Sequence, residues 1–287
     1  MPVHRSGTTR SALATALLAV VALILTLPGA ANAAAADATP PPTADKADKP
    51  GAPARGTAHM GMGVASHDGV GGLPPETRAV QTEGVDVSSH QGNVNWSALW
   101  TSGVKWAYVK ATEGTYYKNP YFTQQYNGSY GIGMIRGAYH FATPDTTTGA
   151  AQADWFVNNG GGWSRDGKTL PGVLDIEWNP YGSTCYGKTQ SGMVAWIRDF
   201  LNRYKYRTGR DAVIYTATSW WRQCTGDYGG FATANPLWVA RYNTTVGELP
   251  AGWAYYTMWQ YTSSGPIVGD HNRFNGAYDR LQALANG

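Results

Sequence analysis

The stretch Val173-Leu174-Asp175-Ile176-Glu177-Trp178 sets two acids one residue apart in a run that otherwise has the apolar and aromatic character of a buried strand. Successive strand side chains point to opposite faces, so Asp175 and Glu177 share a face, about 6.5 to 7 Å apart along the chain. Two like carboxylates on one face of an apolar strand repel and resist ionising together. That costs stability, and it suits acid chemistry near neutral pH.

The surrounding sequence decides where such a strand would lie. Short β-rich runs alternate with helical ones, which predicts parallel strands joined by crossover helices. The runs are Gly84 to Val87, Trp106 to Thr112, Met134 to Ala142, Leu170 to Trp178 and Ala212 to Thr218. Each is hydrophobic enough to be buried on both faces. The clearest helix is Thr189 to Tyr206, where Thr189 can cap and Met193, Val194, Ile197, Phe200, Leu201 and Tyr204 form one apolar stripe. Asn119 to Tyr130 and Thr148 to Asn158 read as helices of the same kind, and Trp96 to Ser102 as a short one.

Beyond the fifth run, Leu237 to Tyr242, Ala254 to Thr262 and Val268 to Phe274 are separated by Gly- and Pro-bearing loops with little helical pattern. Eight strands suit a closed barrel. The expectation is an α/β fold, an irregular eight-stranded TIM-like barrel that loses most of its helices in its last part and ends in a short helix from Tyr278 to Ala285. In such barrels chemistry gathers at one mouth. Asp86, Glu113, the Asp175 and Glu177 pair and Asp270 all fall at or near predicted strand ends. Converging carboxylates among aromatic rings suit glycoside hydrolysis, in which one acid is held protonated and another charged. Glu177 is the better acid, with the longer reach and the negative Asp175 beside it to raise its proton affinity. Taken singly, Asp86 or Asp270 would more often be a cap or turn former than a catalyst, and Glu113 could be structural or touch substrate. Tyr139, Trp178, Tyr215, Trp259 and Gln260 fall where they could line a sugar-binding groove.

The chain has 287 residues, and its start does not read as domain material. Arg5 and Arg10 precede an apolar run from Ala12 to Leu27, and Ala31-Asn32-Ala33 supplies a cleavage signal, so residues 1–33 read as a signal peptide and the protein as secreted. Residues 34–81 are rich in Ala, Pro, Gly and Thr, and include a mixed stretch around HMGMGVASHDGVGG. Such composition buries too little apolar surface to offset chain entropy, so this part reads as a pro-segment or linker, removed or disordered, with residues 82–287 as the catalytic barrel. No internal repeat or second domain is evident, and a monomer is expected.

From Glu83 onward there are 16 Lys and Arg against 14 Asp and Glu, a balance too weak and scattered for nucleic acid. Cys185 and Cys224 fit one disulfide in an oxidising compartment. His90, His140 and His271 lie in the barrel segment without HExxH or close Cys/His spacing, so no zinc or other metal, and no cofactor, is expected. There is no GxSxG elbow and no GxxxxGK[ST] loop.

The ordered series GVDVSSHQG (84–92), WAYVKATEGTYYKNPYF (106–122), GAYHFA (137–142), VLDIEW (173–178), WVARY (238–242), MWQYT (258–262) and GDHNRF (269–274) resembles glycoside hydrolase family 25, the Chalaropsis-type lysozymes or N,O-diacetylmuramidases. The resemblance implies a barrel of five βα units closed by three further strands. It implies bacterial peptidoglycan as substrate and cleavage of the β-1,4 bond from N-acetylmuramic acid to N-acetylglucosamine. Glu177 would be the proton donor, and Asp175, Asp86 and Asp270 would fill the family's other acidic positions. A silent glycan-binding barrel and a related hexosaminidase or chitinase are the alternatives.

Overall fold

A computed structural model describes residues 48–75 and 80–287. The signal-peptide reading falls outside these described residues. In chain order the elements are α1 (Val64–Asp68), β1 (Thr82–Val87), α2 (Trp96–Thr101), β2 (Trp106–Glu113), β3 (Tyr117–Lys118), α3 (Phe122–Gly131), β4 (Ile135–Phe141), α4 (Gly149–Phe156), β5 (Val173–Asp175), α5 (Gln190–Thr208), β6 (Val213–Ala217), α6 (Thr218–Thr225), β7 (Leu237–Ala240), β8 (Met258–Thr262), β9 (Asp270–Phe274) and α7 (Tyr278–Asn286).

The sheet runs β1-β9-β8-β7-β6-β5-β4-β2, and pairing of β1 with β2 closes it into an eight-stranded barrel; β3 adds a short antiparallel strand to β2. Neighbours are parallel from β1 through β2 and on to β8, and β9 alone runs antiparallel between β8 and β1. The expected five βα units and three further strands are all present. Sequence reading did not show the reversal of β9, and it matters, because it brings that strand's first residue rather than its last to the mouth. There Asp270 pairs in register with Asp86.

Aromatic rings fill the lower barrel. Trp106 and Tyr108 of β2, Tyr215 of β6 and Trp238 of β7 are fully buried, and Trp238 lies 5.0 to 5.8 Å from the other three ring centres. Two glycines make the room. Gly84 pairs with Trp106 and Gly137 with Tyr108, and a Cβ at either glycine would sit in the partner's ring. A strand glycine covered by a cross-strand aromatic loses little of the packing it lacks.

Outside the barrel, α5 follows its predicted stripe. Met193, Ile197, Phe200 and Tyr204 are buried, and the Thr189 hydroxyl accepts from Gly192 N at 3.1 Å, a cap that contributes about 1 kcal/mol. The left-handed Gly209 (φ 74°) ends the helix. A second apolar layer of Val85, Val87, Trp96, Leu99, Val109 and Met134 joins α2 to the outer faces of β1 and β2. A disulfide links Cys185, in the loop after β5, to Cys224 in α6.

The predicted strand Leu170 to Trp178 is longer than the observed one. β5 keeps ladder geometry only over Val173–Asp175, so Glu177 stands past the last rung, where the chain is leaving the sheet. The helix α6 carries no long apolar stripe and was not anticipated; it buries Trp220, Trp221 and Cys224 on one face.

Candidate active site

The barrel mouth gathers four carboxyls from three places. Asp86 comes from β1, Asp270 from the start of β9, and Asp175 and Glu177 from the end of β5; all four are at most 7 % exposed. Asp86 is held by amides. Its Oδ2 accepts from Gln260 Nε2 at 2.9 Å and from Asn272 Nδ2 at 2.7 Å. Burial still pushes its pKa up to about 7, because two amide donors only partly replace lost hydration. Asp270 has a single long contact, from Gln260 Nε2 at 3.4 Å. Burial, and then the charges of Asp86 and Glu177, hold it well above the usual carboxylate range.

Asp175 is provided for differently. Both its oxygens are buried, no donor among the described residues reaches them, and the carboxyl of Glu177 beside them can only accept from Asp175. Burial first, and the charge of Glu177 second, raise its pKa well above the ordinary value. Glu177 is also raised by burial, to about 8, but Gly61 N donates to its Oε1 at 2.6 Å and Gly63 N approaches its Oε2 at 3.4 Å. Those amides favour its charged form. With them in place Glu177 is the member of the pair whose charged form is favoured and Asp175 the one held higher, the reverse of the order expected from side-chain reach alone.

Two more buried polar groups near the pair lack partners, the Trp178 indole Nε1 and the Tyr186 hydroxyl. Tyr186 adjoins Cys185 and is one of two non-glycine residues with positive φ (56°) among the described residues. A strained backbone next to a cross-link, carrying a buried hydroxyl toward acids, is the pattern of a functional position. Tyr139 and Tyr215 line the wall, and the Tyr215 hydroxyl donates to Gln260 Oε1 at 2.6 Å. Tyr242 reaches the same oxygen at 2.9 Å.

The structure does not bring Trp259 to the mouth. It neighbours Gln260 on β8, and the strand's period of two sends the two side chains to opposite faces. Trp259 packs beside Tyr256 and Tyr261 and donates its indole N–H to Arg241 O at 2.8 Å. Glu113 does lie on the mouth's flank. It accepts from Lys110 Nζ at 2.6 Å, Tyr116 Oη at 2.8 Å and Tyr181 Oη at 2.5 Å, a saturated carboxylate. His140 is held away from the acids, between Thr112 Oγ1 at 2.8 Å and Gln152 Oε1 at 2.9 Å.

Lys110, Asn272, Tyr186 and Tyr242 were not picked out as candidates from the sequence. Asn272 carried a signal, since it lies two residues from Asp270 and so on the same face. Lys110 likewise shares the inward face of Trp106 and Tyr108.

The profile of Glycosyl hydrolases family 25 matches residues 85–270, the span that supplies all four acids. The chain is 48 % identical to Lysozyme M1 of Streptomyces globisporus over 94 % of its own length and 92 % of that protein's. It is 47 % identical to the N,O-diacetylmuramidase of Chalaropsis sp over 71 % of its length and 99 % of the relative's. The crystal structure of the lysozyme of Streptomyces coelicolor superposes with a TM-score of 0.70 at 52 % identity, over 74 % of this chain and 99 % of that one. On matched sequence, shared fold and acids delivered to one mouth, the chain belongs to glycosyl hydrolase family 25.

Proposed function

We propose that Glu177 gives its proton to the glycosidic oxygen and that Asp175 accepts a hydrogen bond from the substrate's 2-acetamido N–H, so that the acetamido oxygen can approach the anomeric carbon. The reaction is that of a lysozyme: hydrolysis of the β-1,4 bond from N-acetylmuramic acid to N-acetylglucosamine in bacterial peptidoglycan. Family membership and close identity to muramidases support it. The observation that carries the residue roles is the pair of donorless Asp175 oxygens beside Glu177. A buried carboxyl without donors favours a ligand that brings one, and every N-acetylmuramic acid unit brings an acetamide N–H.

The other orphaned groups fit the same ligand. Trp178 Nε1 and Tyr186 Oη would donate to sugar oxygens, with Tyr139 and Tyr215 forming the wall against which a pyranose face lies. Asp86 and Asp270, bridged by Gln260, stand where positive charge develops on an oxocarbenium-like centre, and that charge favours their ionised forms. Glu113, with all its donors in place, fixes Lys110 and Tyr181 and so shapes the groove rather than reacting. We infer that the barrel of residues 82–287 is the catalytic unit and that it acts outside the cell as a monomer. Among the described residues no helix is long and apolar enough to cross a membrane.

The test is digestion of purified peptidoglycan, borohydride reduction and mass spectrometry of the fragments. The wild-type barrel yields muramitol ends and Glu177→Gln yields none. Glucosaminitol ends would move the chain to the hexosaminidase reading, and near-normal turnover by Glu177→Gln would remove that residue from the role of acid.

A further inference from the structure

Residues 48–75 lie across the mouth just described. Composition leaves this segment too little apolar surface for a core of its own, and it uses the barrel's instead, with Met60 and Val64 fully buried among barrel side chains. Its backbone does the rest. Gly56 N donates to Glu113 Oε1 at 2.9 Å, and Lys110 Nζ donates to the carbonyls of Gly56 (3.1 Å) and Ala58. Met60 N meets Tyr139 Oη at 3.4 Å, Gly61 N meets Glu177 at 2.6 Å, and Tyr242 Oη donates to Gly61 O at 3.3 Å. The imidazole of His67 stacks on Trp178, centroids 3.8 Å apart and planes 6° apart.

The sequence of the segment is fitted to this path. At Gly61 (φ 79°) a Cβ would run into Tyr242 Oη and Gln260 Oε1, and at Gly63 one would lie 2.5 Å from the Trp178 side chain. Only glycine lets the main chain come close enough to use its own amides as donors to Glu177. The flat ring on Trp178 and the amides on the acid take the two kinds of place that a sugar face and a glycosidic oxygen need.

We propose that residues 48–75 are a built-in inhibitor of this active site, holding the uncut chain latent until an endoprotease hydrolyses one peptide bond in the exposed stretch after Asp68. This rests on the muramidase reading of the same mouth. The segment blocks the groove, and its amides at residues 61 and 63 occupy both oxygens of Glu177, where the glycosidic oxygen would have to come. One cut turns an intramolecular occupant into a separate peptide, which loses its effective concentration and dilutes away. The Chalaropsis muramidase, aligned along 99 % of itself, covers only 71 % of this chain, about the extent of the barrel, so chemistry of this kind does not require the segment.

The experiment compares the full chain, the same chain after limited proteolysis, and full-chain Gly61→Asp, whose side chain meets Tyr242 and Gln260 and puts a like charge beside Glu177. Two readouts are taken, release of muramitol ends from peptidoglycan and calorimetric binding of the product disaccharide. The cut chain and Gly61→Asp are expected to exceed the full chain at least tenfold in both, and a synthetic peptide of residues 48–75 to restore inhibition of the cut chain. Equal muramitol release and equal binding by cut and uncut chains would overturn the proposal while leaving the muramidase reading intact. Disaccharide binding that appears only after the cut, with no new reducing ends, would uphold the inhibitor and overturn the muramidase.

Discussion

Two pairs of acids share one mouth and are treated oppositely. Asp86 and Asp270, in register on antiparallel β1 and β9, meet side-chain amides from the barrel itself, Gln260 and Asn272. Asp175 and Glu177, from the end of β5, receive no hydrogen bond from barrel donors; what Glu177 has comes from the backbone of residues 61 and 63. A fold that supplies donors to one pair fixes its position, and one that withholds them leaves the other pair to whatever enters. The first pair reads as framework and the second as the reacting one.

The comparison can be broken most sharply at Glu177. In the cut chain Glu177→Gln should lower kcat by roughly 10³ or more while preserving the fold, since proton transfer by a placed acid contributes about 10² to 10⁴; steady-state kinetics and circular dichroism check both halves. Asp175→Asn should lower kcat by about 10² with a smaller change in KM. It should also move the basic limb of the pH profile downward. The acid must be protonated to act, so activity falls as pH rises through the Glu177 pKa; in the cut chain, without the amides of residues 61 and 63, Asp175 would be the charged neighbour, and removing that charge lowers the pKa. An unmoved limb would separate the two residues.

Next comes the cross-link that ends beside Tyr186. Cys185→Ser removes a bridge spanning 39 residues and should cost about 2 to 4 kcal/mol. A fall in melting temperature, read under non-reducing conditions, is expected to accompany weaker glycan binding, because Tyr186 adjoins the lost cysteine. The smallest effect falls on the framework pair. Asp270 has a folded-state pKa raised well above its ordinary value, so the folded chain binds more protons than the unfolded one and loses stability as pH rises above the ordinary aspartate value. Asp270→Asn should therefore raise the melting temperature by about 3 °C at pH 8, some 1 kcal/mol, and by less at pH 5.

Much of this mouth was legible beforehand. Asp175 and Glu177 stand out because two acids in an apolar strand need a reason, and the eight runs with fading helices describe a barrel. The antiparallel turn of β9 was hidden, since a strand buried on both faces reads the same in either direction. Trp259 was misplaced although period two contradicts it: it and Gln260, being adjacent, cannot both face inward. Residues 48–75 escaped because composition reports whether a segment can build a core, not whether it can share one, and glycines that read as linker are here what brings backbone amides against a carboxylate.

The glycine and aromatic exchange in the barrel floor has a consequence for solvent. With Trp106 and Tyr108 wedged into the places left by Gly84 and Gly137, and Trp238 packed against both rings, aromatic side chains fill the barrel beneath the acids. Packing of that density favours the rim as the way by which water meets the four carboxyls. The proton that Glu177 gives to the leaving sugar is returned by the water that opens the intermediate, so entry of that water and recharging of the acid become a single event.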